Sequence, residues 1–234
     1  MTLASILALG FLLGLRHATE ADHVAAVATL ATRSRSLAHT VAQGIAWGAG
    51  HSLSLMLFGG MVLVLGLVVP ERAAQGLELA VGVMLIGLGI DALLRLRRER
   101  IHFHAHRHAD GVAHFHAHAH RGERGPHQAA RHDHGHPPGF PLRALLVGMV
   151  HGMAGTAALV LLSVEALHSP AQGLAYIAVF GLGSILGMAV LSAAIALPLR
   201  LTSQRLGRAY RGLSAAVGVT TILIGCGIVV RMGG

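Results

Sequence analysis

Long apolar runs dominate this chain, and they recur six times. They extend roughly from Leu3 to Leu30, Val41 to Val69, Leu77 to Leu94, Leu142 to Leu167, Leu174 to Leu199 and Leu213 to Val230. A helix needs about 20 mainly apolar residues to cross the hydrocarbon of a bilayer. Hydrophobic residues make up 53% of the 234 residues and charged ones 12%, with a mean hydropathy of +0.63. That leaves too little polar sequence to cover a water-soluble core, so the bilayer is the solvent this pattern predicts. The expected fold is an all-α integral membrane protein with six transmembrane helices.

The formal net charge is +8, and all 18 basic residues are arginines. A basic balance can mark nucleic-acid binding. Here the arginines cluster between apolar runs, which is the pattern of membrane orientation, so no nucleic acid is expected as a partner. Arg33 and Arg35 follow the first run, Arg95 to Arg143 frame a long central loop, and Arg200, Arg205, Arg208 and Arg211 follow the fifth; the opposite side holds Arg72 and Arg231. The positive-inside rule then predicts a multi-pass protein of the cell membrane with both termini outside and the central loop in the cytoplasm. The N-terminus has no basic region and no small-residue cleavage site, so no cleavable signal peptide is expected. The one cysteine, Cys226, excludes an intrachain disulfide and reads as a small buried hydrophobe.

The two halves resemble each other. Gly14-Leu15-Arg16-His17 is matched by Gly148-Met149-Val150-His151, an offset of 134. Gly48-Ala49-Gly50-His51 is matched by Gly181-Leu182-Gly183-Ser184 at 133, and Ala80-Val81-Gly82-Val83 by Ala216-Val217-Gly218-Val219 at 136. Three helices per repeat is an odd number, so the second repeat must be inverted in the membrane, a frequent transporter architecture. The expected organisation is a first three-helix repeat over residues 1–98, a loop over 99–139 and a second repeat over 140–234. Residues 101–139 of the loop hold 12 of the 18 histidines, including His102, His104, His106, His108, His114, His116, His118 and His120. This stretch has no apolar period and is expected to be disordered without metal. Its alternating imidazoles suit metal binding with little selectivity.

The strongest chemical signal is Arg16-His17-Ala18-Thr19-Glu20-Ala21-Asp22-His23. Ionisable groups inside a span are costly, and their default reading is functional. Imidazole suits nickel, copper and zinc, and carboxylate adds charge neutralisation. On a continuous helix His17, Glu20 and His23 fall within an arc of about 120°, with Asp22 nearly opposite Glu20. Either Asp22 orients a neighbour from another helix, or the helix is irregular here, one piece or two broken near Gly14. His51, flanked by Gly48 and Gly50, is placed to reach this site. His151 is the repeat partner of His17 and is expected to converge on it. The predicted metal residues are therefore His17, Glu20, Asp22, His23, His51 and His151. Met149 and Met153 read as packing, Asp91 and Glu78 as groups near span ends that reach water, and Gln43, Thr156 and Ser184 as pore lining or polar contacts between helices.

The run Arg16-His17-Ala18-x-x-Ala21-Asp22-His23 resembles the signature of the nickel/cobalt transporter family: His, four residues, then Asp-His. Gly50-His51-Ser52 resembles the family's second motif, and His151-Gly152-x-Ala154-Gly155 the short six-helix branch often labelled urease-accessory or nickel-transport proteins. The matches cover about a third of the chain. The Asp-Thr pairs of larger members are missing, and the chain is shorter. The resemblance implies metal recognition by His17, Asp22, His23 and His51.

Together these features predict a secondary carrier for a divalent transition-metal cation, nickel or cobalt by resemblance, with no cofactor. The ligand types alone do not exclude zinc, iron, manganese or copper. No Walker A pattern, His-Glu-x-x-His or serine-nucleophile context is present, so an enzyme is not expected. The alternative is a membrane accessory or sensor protein that binds metal for metalloenzyme maturation without transporting it. Nothing in the sequence specifies an oligomeric state.

Overall fold

The computed structural model describes residues 2–32, 36–67, 70–98, 101–107, 113–119, 141–154, 169–205 and 207–233. The helices are α1 (Leu3–His17), α2 (Ala21–Ala31), α3 (Leu37–Ser54), α4 (Gly60–Leu65), α5 (Glu71–Arg98), α6 (Leu142–Ala154), α7 (Pro170–Arg205) and α8 (Gly207–Gly233). A π-helical turn, Leu55–Gly59, joins α3 to α4. Among the described residues, four helical stretches are long and apolar enough to cross a membrane: Leu37–Leu65, Glu71–Arg97, Pro170–Leu199 and Ala209–Gly233. The bent pair α1–α2 makes a fifth if counted as one span. Of the expected fourth run, only Leu142–Ala154 is described, and its remainder with Thr156 lies outside the described residues, as do Arg33 and Arg35.

Serine and threonine start two of these helices. Thr2 accepts a hydrogen bond from the Ser5 amide at 3.3 Å, and Ser36 accepts one from His39 at 3.0 Å, so one exposed amide at each helix start is satisfied. Gly66 ends α4 with φ +62°, a left-handed conformation that a side chain would strain. Large apolar residues cover the outside: Leu12, Leu65, Leu182, Val190 and Leu223 are all more than half exposed. Such a surface is ruinous in water and ordinary against lipid. Cys226 belongs to this exposed surface and not to the core where its apolar run suggested.

The helices pack as α1 on α7, α3 on both α6 and α7, and α5 on α8, with α2 between α7 and α8. Glycine lets the backbones touch at these crossings. A Cβ on Gly14 would strike the carbonyl oxygen of Phe180, and one on Gly148 the carbonyl of Trp47. Gly183 lies in the same way on Phe11, and Gly50 on Leu145. Gly82 meets Gly225, and Gly89 meets Gly218. The residues buried in the core include Ala18, Ala26, Val27, Ala46, Trp47 and Met188. Thr29 and Thr221, joined at 2.9 Å, add a buried polar link between α2 and α8.

Two stretches of the histidine-rich segment, where composition alone gave no regular element, are paired as antiparallel strands: β1 (Ile101–Arg107) and β2 (Ala113–Ala119). Their register sets His102 opposite His118, His104 opposite His116 and His106 opposite His114. The six histidines stand at alternate positions of the two strands. His108 and His120 lie outside the described residues.

Gly148→Ala should lower the thermal unfolding midpoint in detergent, at a cost of about 1–3 kcal/mol, because its Cβ meets unyielding backbone. Gly76→Ala, where nothing stands within 4 Å, should leave the midpoint unchanged or raise it. Far-UV circular dichroism melts of the two variants make the comparison.

Candidate metal centre

The first apolar run is broken at its most polar point. α1 stops at His17, α2 starts at Ala21, and the two axes bend by 56°. The break lies after His17, not near Gly14, and contains neither proline nor glycine. Thr19 supplies the stop. Its hydroxyl donates to the Arg16 carbonyl at 2.6 Å, and its amide donates to the same oxygen at 2.8 Å. The Glu20 amide closes a second tight turn on the His17 carbonyl at 3.0 Å. These bonds use the carbonyls that another helical turn would have needed. At the start of α2, Asp22 Oδ1 accepts from the His23 amide at 2.8 Å. Two helix ends therefore face each other within one apolar run, the arrangement by which discontinuous helices offer backbone dipoles to an ion. The C-terminal end of α1, beside His17, is the one that favours a cation.

Four imidazoles gather at this break. Ring centroids are 4.4 Å apart for His17 and His23, 5.1 Å for His17 and His51, 5.3 Å for His23 and His51, and 4.1 Å for His23 and His151. The glycine crossings bring them together. Gly50 sits on α6, and Gly152 sits on the carbonyl of His51, so His51 and His151 enter the same space from facing helices. Trp47, one turn before His51, stacks on His23 at 6.0 Å with planes 9° apart and meets His151 edge-on at 5.8 Å. Phe180 lies against His17 at 5.3 Å. The aromatic walls fix how the imidazoles are turned.

The hydrogen bonds assign roles to the ring nitrogens. A carboxylate only accepts, so the nitrogens that face one carry the protons. His17 Nδ1 donates to Glu20 at 3.1 Å, His23 Nδ1 donates to Asp22 Oδ1 at 2.9 Å, and His151 Nε2 donates to Asp22 Oδ2 at 3.1 Å. A lone pair then remains on Nε2 of His17 and of His23. His17 Nε2 faces His51 Nε2 at 3.2 Å. His23 Nε2, His51 Nδ1 and His151 Nδ1 are buried without a partner. Buried polar atoms are seldom left this way. A carboxylate behind an imidazole whose other nitrogen is free is the usual support of a metal-bound histidine. Two sets of ligand atoms lie within 4.8 Å of one another: His17, His23 and His51 form one, and Asp22, His23 and His151 the other. The two carboxylates, Asp22 in the second set and Glu20 beside His17, would balance the charge of a divalent cation.

The expected site residues are thus brought together, though not on one helix face. His17 ends α1, Glu20 sits in the break, and His23 lies in the first turn of α2. Both readings of Asp22 hold, since the span is irregular and Asp22 orients His151 from another helix. The aromatic walls Trp47 and Phe180 were missed. Trp47 could have been found, as the sequence's one tryptophan four residues before His51. Ser184 is fully buried with its hydroxyl unpaired, and the Oε1 of Gln43 is also unpaired. Asp91 pairs with Arg95 at 3.3 Å and Arg143 at 3.4 Å, and Glu78 pairs with Arg231 at 3.5 Å, all outside the centre. The Met149 backbone carbonyl accepts from Ser54 at 2.8 Å.

Comparison with known proteins agrees with this chemistry. A family model described as NicO, high-affinity nickel-transport protein, matches residues 3–232. The chain is 33% identical over 211 residues to the urease accessory protein UreH of Bacillus sp. (strain TB-90), covering 87% of this chain and 82% of that protein. No solved structure matches it. The family is one of transport proteins, so the chain is a membrane-embedded non-enzyme. With nearly its whole length matched, this chain belongs to the NicO family of high-affinity nickel-transport proteins.

Proposed function

We propose that this protein carries divalent nickel or cobalt across the cell membrane through the imidazole and carboxylate centre at the broken first span. The observation that carries the reading is the set of buried imidazole nitrogens without partners on His23, His51 and His151. In a bilayer no water replaces a missing partner, so such atoms are tolerable only where an ion or its water visits. The family supplies the preference for nickel.

The carrier is read as six spans in two inverted three-helix repeats. What supports this is the pattern of glycine contacts. Exchanging each residue with its counterpart 133 to 136 positions away turns the Gly14–Phe180 contact into Gly148–Trp47, Gly183–Phe11 into Gly50–Leu145, and Gly82–Gly225 into Gly218–Gly89. The same exchange maps His17 onto His151. The centre then lies where the repeats meet, and relative motion of the halves opens it to one side or the other. Arginine distribution supports both termini outside and the histidine-rich loop inside. A second reading, a metal-binding accessory protein, has one observation in its favour: the strand register sets three pairs of histidines opposite one another in sequence outside the apolar helices.

In proteoliposomes loaded on one side with radioactive nickel, His17→Ala and His23→Ala should each lower transport at least about 10-fold at equal insertion. Near-normal transport by both would make the cluster structural. Deleting Ile101 to Pro138 should leave substantial transport and change its dependence on metal concentration; complete loss in an inserted protein would place the loop on the path. In a Cys226→Ser background, an impermeant thiol reagent should label Thr2→Cys on intact cells and spare Gly125→Cys, and the reverse result would invert the topology.

A further inference from the structure

We propose that the centre offers the cation two adjoining positions that share His23, and that transport includes a hand-over from one to the other. The proposal rests on the reading that this cluster carries the transported ion. The first position is framed by His17, His23 and His51, and the second by Asp22, His23 and His151. His23 serves both because its two nitrogens point apart. Nε2 is free on the first side, and Nδ1 meets Asp22 at 2.9 Å on the second. Metal–nitrogen bonds of about 2 Å on either edge of one ring would set the positions roughly 6 Å apart. Two divalent ions at that separation repel strongly, so the centre holds one ion that moves, not two that stay.

Three further features fit a hand-over. Each position has its own partly exposed carboxylate: Glu20 is 58% exposed beside His17, and Asp22 is 26% exposed beside His151. The shared His23 is only 1% exposed. Each position therefore has an acidic approach, with a buried imidazole between them. Trp47 stacks on His23 and restrains it, so the ion changes nitrogen while the ring stays in place. As the metal–Nδ1 bond forms, the Nδ1 proton leaves through the partly exposed Asp22 to solvent. As the metal–Nε2 bond breaks, Nε2 takes up a proton from water, so the ring ends neutral as it began. The two positions also draw on different parts of the fold. The first uses α1, α2 and α3. The second needs α6, through the His151–Asp22 contact at 3.1 Å. A shift of α6 relative to α2 dismantles the second position and leaves the first intact. His151 is then a transfer residue and not a fourth ligand of a single site.

Cobalt(II) titration of the purified full chain in detergent, read by equilibrium dialysis and by the ligand-field spectrum, separates the two descriptions when paired with uptake in proteoliposomes. His151→Ala and His151→Asn should bind one cobalt within about 3-fold of wild-type affinity and keep its spectrum, while uptake falls at least about 10-fold; His51→Ala should lose at least about 10-fold in affinity. X-ray absorption on the wild-type chain with less than one equivalent of nickel needs no variant to fold. It should count three imidazoles around the ion, the histidines of the first position. Four imidazoles around one ion, or equal affinity losses in the His51 and His151 variants, would overturn the two-position arrangement. Wild-type uptake by a His151 variant would remove the second position from the path. A wild-type chain that neither binds cobalt nor moves nickel would instead defeat the underlying carrier reading, a result distinct from the others.

Discussion

A carboxylate placed among apolar helices has to be answered by donors, and Asp22 is answered by two imidazoles that the chain brings from opposite halves. One oxygen takes His23 of its own helix, and the other takes His151, 129 residues further on. Lipid offers no alternative partner, so this small charged knot governs its surroundings. It sets which nitrogen of each ring carries a proton, and hence which nitrogens remain free. It also ties α6 to α2. The break in the first span belongs to the same economy. Thr19 satisfies the end of α1, and Asp22 satisfies an amide at the start of α2, so an interrupted backbone can stand within an apolar environment.

Geometry does the remaining work. Imidazoles on four separate helical segments converge to a few ångströms only if their backbones approach closely. Gly50, Gly148 and Gly152 make that approach between α3 and α6, and Gly14 and Gly183 make it between α1 and α7. A methyl group at any of these five positions would meet main-chain atoms. The packing that stabilises the bundle and the packing that assembles the centre are therefore the same contacts, and a change at one is felt at the other.

Much of this was legible in the sequence because a charge in an apolar run is expensive and so conspicuous. His17, Glu20, Asp22, His23 and His51 stand out on that ground alone. His151 stood out less and was placed by its match to His17 across the halves. The break after His17 was not legible. Its cause is a threonine side chain turned back on a carbonyl, and threonine is common in unbroken membrane helices. The role of Glu20 was blurred for the same reason, since a continuous helix sets it midway between His17 and His23 and the observed turn pairs it with His17. The aromatic walls escaped because Trp47 and Phe180 look like ordinary apolar residues until the rings they support are in place. In the loop, composition marked the histidines as candidate metal ligands but could not give the strand register, which depends on pairing between distant residues.

Trp47 has a consequence that lies outside transport itself. It is the sequence's one tryptophan, and its ring lies 6.0 Å from His23 and 5.8 Å from His151. All the indole emission of the chain thus originates at the wall of the centre. An open-shell ion such as nickel or cobalt held there quenches an excited ring at that range, and a closed-shell ion such as zinc does not. For an ion bound there, the indole would be a built-in optical probe of occupancy and of the electronic character of the occupant, without a label and without disturbing the histidines beside it.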